Sequence, residues 1–426
     1  MTAQALTEKT RAATMPRSRA PAARPGGLAD LLRVPGIIRL SVSNGLVQGF
    51  GNRMQGVVVA WLVLEMTDSK FWLGVVNGVP VLPVLLFSLL GGVVADTRNA
   101  KRVMVVSRVA LAVIAFATAA LVATDQIAIG HLLLYVLLVV GIAAIDMPVA
   151  RNYLFGVVGG PRLLGANALQ QVIMNTITIV MPVSAGLLIG FGGPQTAFLL
   201  LGIGYAVAVV LILNTPASSG EDQASKGTNP LADVLAGIAY IRATPAVSAL
   251  VCLAFLVPVA GIYFAMVPVF AREVLGVGAG GLGVLVASFS AGGLAGSAYL
   301  AAGRGLQRRG LKLTVLGVAF GVGMMAFALS QSFLLSCAIS LVMGVLAAFW
   351  QNILGVMIQV VAAPEMRGRV TSVFTMGFQL VGLGWLAGGS LAAVLGVEAA
   401  VVLGGIVFSG LSLAIFLVSP DVRHMD

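Results

Sequence analysis

About twelve apolar runs, each near or above the roughly 20 residues a helix needs to cross bilayer hydrocarbon, follow one another along the chain. Hydrocarbon offers no partner to a backbone N–H or C=O, so such runs satisfy their own polar groups as helices. An all-α polytopic membrane protein is therefore expected. The first six runs cover approximately 37–65, 71–95, 103–124, 127–150, 165–190 and 195–214; the second six cover 247–270, 280–302, 313–331, 333–362, 368–393 and 397–418. A length of 426 residues would suggest about three soluble domains, but no polar segment is long enough to be one. Charged residues make up 9% of the chain, against about a quarter in soluble domains.

The formal charge of +10 raises the question of a nucleic-acid partner, and the placement of the charge answers it. With the termini taken as cytoplasmic, only Lys70 and Arg272 of the 25 cations fall in outer loops, and Arg53 is embedded in the first run. That asymmetry is the orientation signal of a membrane protein, so no nucleic-acid partner is expected. Cys252 and Cys337 both lie inside apolar runs, which suggests neither a disulfide framework nor a metal site. His131 and His424 are isolated.

The chain divides into five regions: a disordered basic tail over 1–35, a six-helix bundle over 36–214, a linker over 215–246, a second bundle over 247–418 and a short tail over 419–426. Residues 1–35 lack the apolar core of a cleavable signal peptide; their basic, acid-poor composition also suits a transit peptide. In the linker, Leu231, Val234, Leu235, Ile238 and Ile241 have helical spacing, which predicts an amphipathic helix on the inner surface over Pro230 to Arg242. Pro161, Gly165 and Gly186 recur as Pro364, Gly368 and Gly389, each 203 residues on. A parallel six-plus-six repeat enclosing a central cavity is the economical reading.

The stretch Gly92 to Arg102, GVVADTRNAKR, divides the second run from the third, and four cations come after Asp96 by Arg108. It reads as a short cytoplasmic hairpin in which Asp96, facing Arg98, Lys101 and Arg102, holds two helices together and later releases them. The alternative is a solvated turn that only obeys the positive-inside rule. Of the 15 acids, Asp146 alone lies inside a run, just before Pro148, which frees a backbone carbonyl and can open the helix locally. Two roles suit Asp146: a carboxylate that protonates during a transport cycle, or a permanent partner of Arg151 or Arg98 at the inner gate. Arg53 either attracts an anionic solute or is neutralised by Asp146.

Polar stripes run beside these charges. Ser41, Asn44, Gln48, Asn52 and Gln55 share a face of the first run, and Asn167, Gln171, Asn175 and Thr178 a face of the fifth. Gln351, Asn352 and Gln359 mark the tenth, and Ser372, Thr375 and Gln379 the eleventh. With Phe349, Trp350, Tyr263 and Phe264 nearby, these amides suit a mixed cavity for a bulky, partly aromatic solute; singly, each also serves as hydrogen-bonding glue between helices. Gly45 with Gly49, Gly292 with Gly296, Gly317 with Gly321 and Gly384 with Gly388 are small pairs that permit close helix contact.

With its long middle loop and GVVADTRNAKR after the second span, the chain resembles the major facilitator superfamily. The hallmark loop agrees at Gly92, Asp96 and Lys101, while Thr97 and Asn99 depart from it. DMPVARNYL, GANALQQ (Gly165 to Gln171), Pro182 with Gly186, and APEMRGRVTSVF look like the branch that includes the enterobactin exporter and related multidrug exporters. The resemblance implies a twelve-helix secondary transporter of the cell membrane, with a proton gradient as driving force and no other cofactor. It implies export of drugs or siderophore-like molecules. Met181, Pro182 and Gly186 are what remains of the antiporter pattern of the fifth helix, and Asn52 stands where related exporters often carry an acid. No hydrolase or kinase motif is present, so no enzyme is expected. Export by a monomer is the main expectation; an importer or uniporter of a polar metabolite, and a non-transporting receptor or assembly subunit, are the alternatives.

Overall fold

Leu, Val, Ala and Gly fill the runs and leave the backbone to pair with itself, and each run is helical wherever it is described. The computed structural model describes residues 33–84, 100–159, 162–216, 230–301 and 309–423. Helix α1 passes from Ile37–Gln48 through a π-helical segment, Gly49–Met54, into Gln55–Thr67. Next come α2 from Lys70, α3 (Ala100–Ala123), α4 (Ile129–Val158), α5 (Leu163–Gly192) and α6 (Pro194–Leu213). After α7 (Pro230–Ala243), the second set is α8 (Pro245–Val274), α9 (Gly278–Ala301), α10 (Arg309–Ala328), α11 (Phe333–Val361), α12 (Arg367–Leu395) and α13 (Val397–Val418), with α14 (Pro420–Arg423) last. Ten of these are long and apolar enough to cross a membrane; α1 is divided by its π segment, and α2 is described over Lys70–Val84.

Punctuation obeys local chemistry. The Ser69 hydroxyl accepts from the Trp72 N–H at the start of α2, and Pro194 and Pro245 open α6 and α8. The repeat reappears in the turns: Gly193 ends α5 at φ 76° and Gly396 ends α12 at φ 89°, again 203 residues apart, where an L side chain would be strained. Large apolar side chains on the outside of the bundle, among them Val106, Val113, Leu134, Val210, Val315 and Leu413, are exposed. A belt of that kind is what lipid hydrocarbon covers.

The linker helix α7 does more than lie on a surface. Its Tyr240 hydroxyl accepts from the Ala363 N–H at 3.1 Å, and Gly237 packs against the Arg369 backbone of α12, whereas Leu235 is exposed. The segment after α6 is also tied down. Lys101 Nζ donates to the Leu213 and Thr215 carbonyls at 2.9 and 2.6 Å, and the Tyr153 hydroxyl donates to the Pro216 carbonyl at 2.6 Å.

The two sets meet at one end through α2 with α12 and α5 with α9. A Cβ placed on Gly74 would lie 2.6 Å from the Trp385 carbonyl oxygen and 3.0 Å from Gly389 Cα; one on Gly186 would lie 3.1 Å from Gly280 Cα. Gly186 and Gly389, the repeated pair, thus make equivalent contacts between halves. Two ion pairs rim this closed end: Lys70 with Glu273 at 2.9 Å and Asp68 with Arg272 at 3.2 Å. Arg272 also donates to the Leu64 carbonyl.

Candidate functional site: a cleft and a buried ion pair

The helical faces that seal the halves at the closed end carry the polar stripes further along. On α5, Asn167, Gln171, Asn175, Thr178, Pro182 and Gly186 come at steps of three and four, so they share one face. Pro182 and Gly186 touch α9, while Asn167 and Gln171 are exposed. On α12, Ser372, Thr375, Gln379, Gly382 and Gly389 share a face in the same way. Gly382 and Gly389 touch α2, and the three polar residues are exposed. Among the described residues the halves therefore part beyond the glycines and leave a cleft with polar walls that opens towards the end opposite Asp68 and Arg272. Gln351 and Gln359 of α11 are exposed as well, and Asn352 is held by its own helix, donating to the Ala348 carbonyl at 2.8 Å.

Within the first half lies a sealed charge cluster. Arg108 of α3 is fully buried, and its guanidinium stands 3.7 Å from the Asp146 carboxylate of α4. It donates to Asn44 Oδ1 at 2.6 Å and to the Ser43 hydroxyl, both on α1. Ser43 in turn donates to the Ala208 carbonyl of α6 at 2.6 Å. Three helices therefore meet at one guanidinium, and Ser43 ties in a fourth. Asp146 Oδ1, Arg108 Nε, Asn44 Nδ2 and Ser41 Oγ are buried with no hydrogen-bond partner among the described residues.

This arrangement corrects the expected partners of Asp146. Neither Arg151 nor Arg53 pairs with it, and Arg98 lies outside the described residues. Helix α4 continues unbroken through Pro148 to Val158, so Asp146 sits about 18 Å from that end rather than close to it. Arg151, a turn and a half further on, is exposed. Arg108 belongs by charge counting to the basic turn, yet it lies about 12 Å inside α3. The available signal is a cation flanked by apolar residues on both sides within Val103 to Ala123, matched by one embedded acid and by Ser43 and Asn44.

Other expected cavity residues divide. Asn44 is buried on Arg108. Gln55 is buried too, its Oε1 3.5 Å from the Tyr135 hydroxyl. Tyr263 lies in the core of the second half, its hydroxyl 3.0 Å from Ser340 Oγ and its ring against Phe264, Phe289 and Phe327. Trp350 is likewise buried, between Phe378 and Phe408. None of these four lines the cleft. Gln48 is half-buried, Gln171 donates to Asn175 Oδ1 at 3.0 Å, and Gln379 is exposed. The side chain of Asn52 lies outside the described residues. So do Gly92, Asp96 and Arg98, so of the latch only Lys101, bound to the end of α6, and exposed Arg102 can be placed.

Arg53 lies near the end of the π segment. It is exposed although it lies deep in the bundle, between buried Phe50 and buried Met54. Among the described residues no carboxylate pairs with it. A side chain that is accessible, enclosed by protein and half-way along a membrane-spanning helix stands on a cavity wall.

Two helical halves around a cleft agree with the match of residues 42–384 to the model of the Major Facilitator Superfamily. The chain belongs to the major facilitator superfamily. It is 25% identical over 415 residues to the multidrug efflux pump Tap of Mycolicibacterium fortuitum, covering 92% of this chain and 97% of that protein. Over 175 residues it is 25% identical to the staphyloferrin A transporter of Staphylococcus aureus (strain NCTC 8325 / PS 47), covering 40% and 43%. Among solved structures, the nucleoside transporter NupG superposes with a TM-score of 0.72 at 14% identity over 92% of this chain and 100% of that one. A bacterial homologue of the human lysosomal transporter Spinster, inward-facing and occupied, superposes at 0.71 and 15% over 90% and 96%. At these identities the structural likenesses speak for the fold alone. As a member of this superfamily the chain is a multi-pass membrane transporter and not an enzyme.

Proposed function

We propose that this transporter exports amphipathic small molecules across the cell membrane by alternating access, driven by proton antiport. The cleft carries the reading. Glycine contacts close one end of it, and the same helical faces part as polar walls towards the other. Among the described residues the cations Lys101, Arg102, Arg162, Arg367 and Arg369 lie at the open end, so that end and both termini are cytoplasmic. Export is supported by the full-length likeness to an efflux pump.

Proton coupling falls to Asp146, the one carboxylate embedded in a described span. Its charge is balanced by Arg108, and one of its oxygens has no donor among the described residues. Protonation would leave Arg108 hydrogen-bonded through Ser43 and Asn44 but without a counter-charge. The resulting imbalance acts on α1, which also carries Arg53 and Gln48 on the way to the cleft.

Proteoliposomes with an imposed pH gradient test this. Wild-type protein moves a fluorescent amphiphile against its concentration when the gradient is present and equilibrates it when the gradient is absent. Asp146→Asn keeps exchange of the solute and loses the dependence on the gradient; undiminished gradient-driven accumulation in that variant would end the proton role. Absence of flux for every member of a drug panel in the wild type would end the transport reading itself.

A further inference from the structure

Beyond the class of transport, the cleft carries information on the charge of what it takes. We infer that the solute bears an anionic group, a carboxylate or its equivalent, which docks on Arg53. The inference rests on the cleft being the transport site, and three observations carry it.

First, the alternative use of Arg53 is gone. Asp146, the embedded acid that could have neutralised it, is committed to Arg108 at 3.7 Å and shielded from solvent. Secondly, the described polar faces of α5 and α12 contribute amides and hydroxyls, Gln171, Asn175, Ser372 and Gln379, and no carboxylate. The wall thus carries a net positive charge at its depth, where low-dielectric surroundings concentrate the field. Thirdly, the helix is rewound at this point. Within the π segment Phe50 and Met54 are buried while Arg53 is exposed. Such segments are rare and accumulate at functional sites. A guanidinium is also costly to leave at membrane depth facing lipid, whereas in a water-filled cleft it presents a fork of donors to a planar oxyanion. A cationic amphiphile would meet an unopposed like charge in the same place.

Equilibrium binding to the purified full-length protein in detergent, with no gradient, isolates this claim from the transport claim. Fluorescein (anionic) and rhodamine 123 (cationic) share a xanthene skeleton, and fluorescence anisotropy reads the affinity of each. Wild-type protein should bind fluorescein about ten-fold or more tightly than rhodamine 123, in keeping with a hydrogen bond to a charged group. Arg53→Gln should bring the two within about three-fold, Arg53→Lys should retain most of the preference, and Arg53→Glu should reverse it. The wild-type preference should also shrink as salt is raised, a readout that holds even if a variant fails to fold. Equal or tighter binding of rhodamine 123 by the wild type, binding of neither dye, or a preference that survives in folded Arg53→Gln would overturn the inference. Gradient-driven flux that persists in any of those cases leaves the transporter standing with another specificity. A dye preference without flux leaves the anion site and removes the transport reading.

Discussion

Where the first half places Arg108 and Asp146 3.7 Å apart in its interior, the second half carries apolar side chains at the equivalent positions. The residues 203 further on are Leu311 and Phe349, and the centre of the second bundle is an aromatic cluster, Tyr263 with Phe264, Phe289 and Phe327. The two bundles share helix order, the repeated glycines and the turns at Gly193 and Gly396. They differ in what holds them together. A core joined by an ion pair changes its internal energy when a proton arrives; a core joined by rings does not. Under the proposed proton coupling, the titrating pair belongs to the first half and the second half supplies mechanical support.

The largest effect that tests this division is expected at Arg108. Arg108→Leu strands a buried carboxylate and should cost about 3–5 kcal/mol, seen as a lower unfolding midpoint in detergent. The double variant Arg108→Leu with Asp146→Leu should recover most of that loss and yet fail to couple flux to a pH gradient. A single variant as stable as the wild type would show that the pair does not organise the first half. The corresponding change in the second half, Leu311→Ala, removes a partly exposed side chain and leaves no charge unpaired.

A smaller effect is expected where the halves touch. A side chain at Gly74 meets the backbone of Trp385 and Gly389, so Gly74→Leu overpacks the closed end. Such changes cost about 1–3 kcal/mol, here levied on the conformation closed at that end. Spin-label distances across the α2–α12 contact should lengthen, and the population should move towards the state open on that side. Unchanged distances would mean that close glycine packing does not set the seal.

The division between bundles is only partly legible in the residues. Spans, the linker helix and the six-plus-six repeat come from apolar length and from glycines 203 residues apart, because hydrocarbon allows few alternatives to a helix. Side-chain partners are much harder to read. Arg108 stands six residues after Arg102, and charge counting groups it with the turn; only the depth of α3 shows that it belongs to the core. Gln55 shares a stripe with Gln48, yet the π segment turns the helix between them, so a single helical wheel misplaces the residues beyond Gly49. Tyr263 resembles a cavity aromatic because composition does not say which side of a helix meets Ser340.

Within the second half, Tyr263→Phe keeps the ring and removes one hydrogen bond to Ser340. A loss of about 0.5–1.5 kcal/mol in stability is expected, with transport and dye preference unchanged. A change in substrate selectivity would restore Tyr263 to the cleft and weaken the contrast between a chemical half and a mechanical one.

The smallest effects belong to the ion pairs that bridge the halves at the closed end. Lys70 and Glu273 are both partly exposed, and Asp68 is largely so, which places them among pairs worth about 0.2–1 kcal/mol and sensitive to salt. Lys70→Gln should therefore speed labelling of a cysteine placed behind the seal only a few-fold at low salt, and high salt should give the wild type the same rate. Arg272 differs from Lys70 in one respect: besides Asp68 it also holds the Leu64 carbonyl at the end of α1, a contact that salt does not screen in the same way. Arg272→Gln should accordingly keep part of its effect at high salt. If both variants lose their effect together, the rim acts through charge alone. If Arg272 stands out, the closed end is held by a backbone clasp from the second half on the helix that carries Arg53, a direct mechanical route between the seal and the cleft.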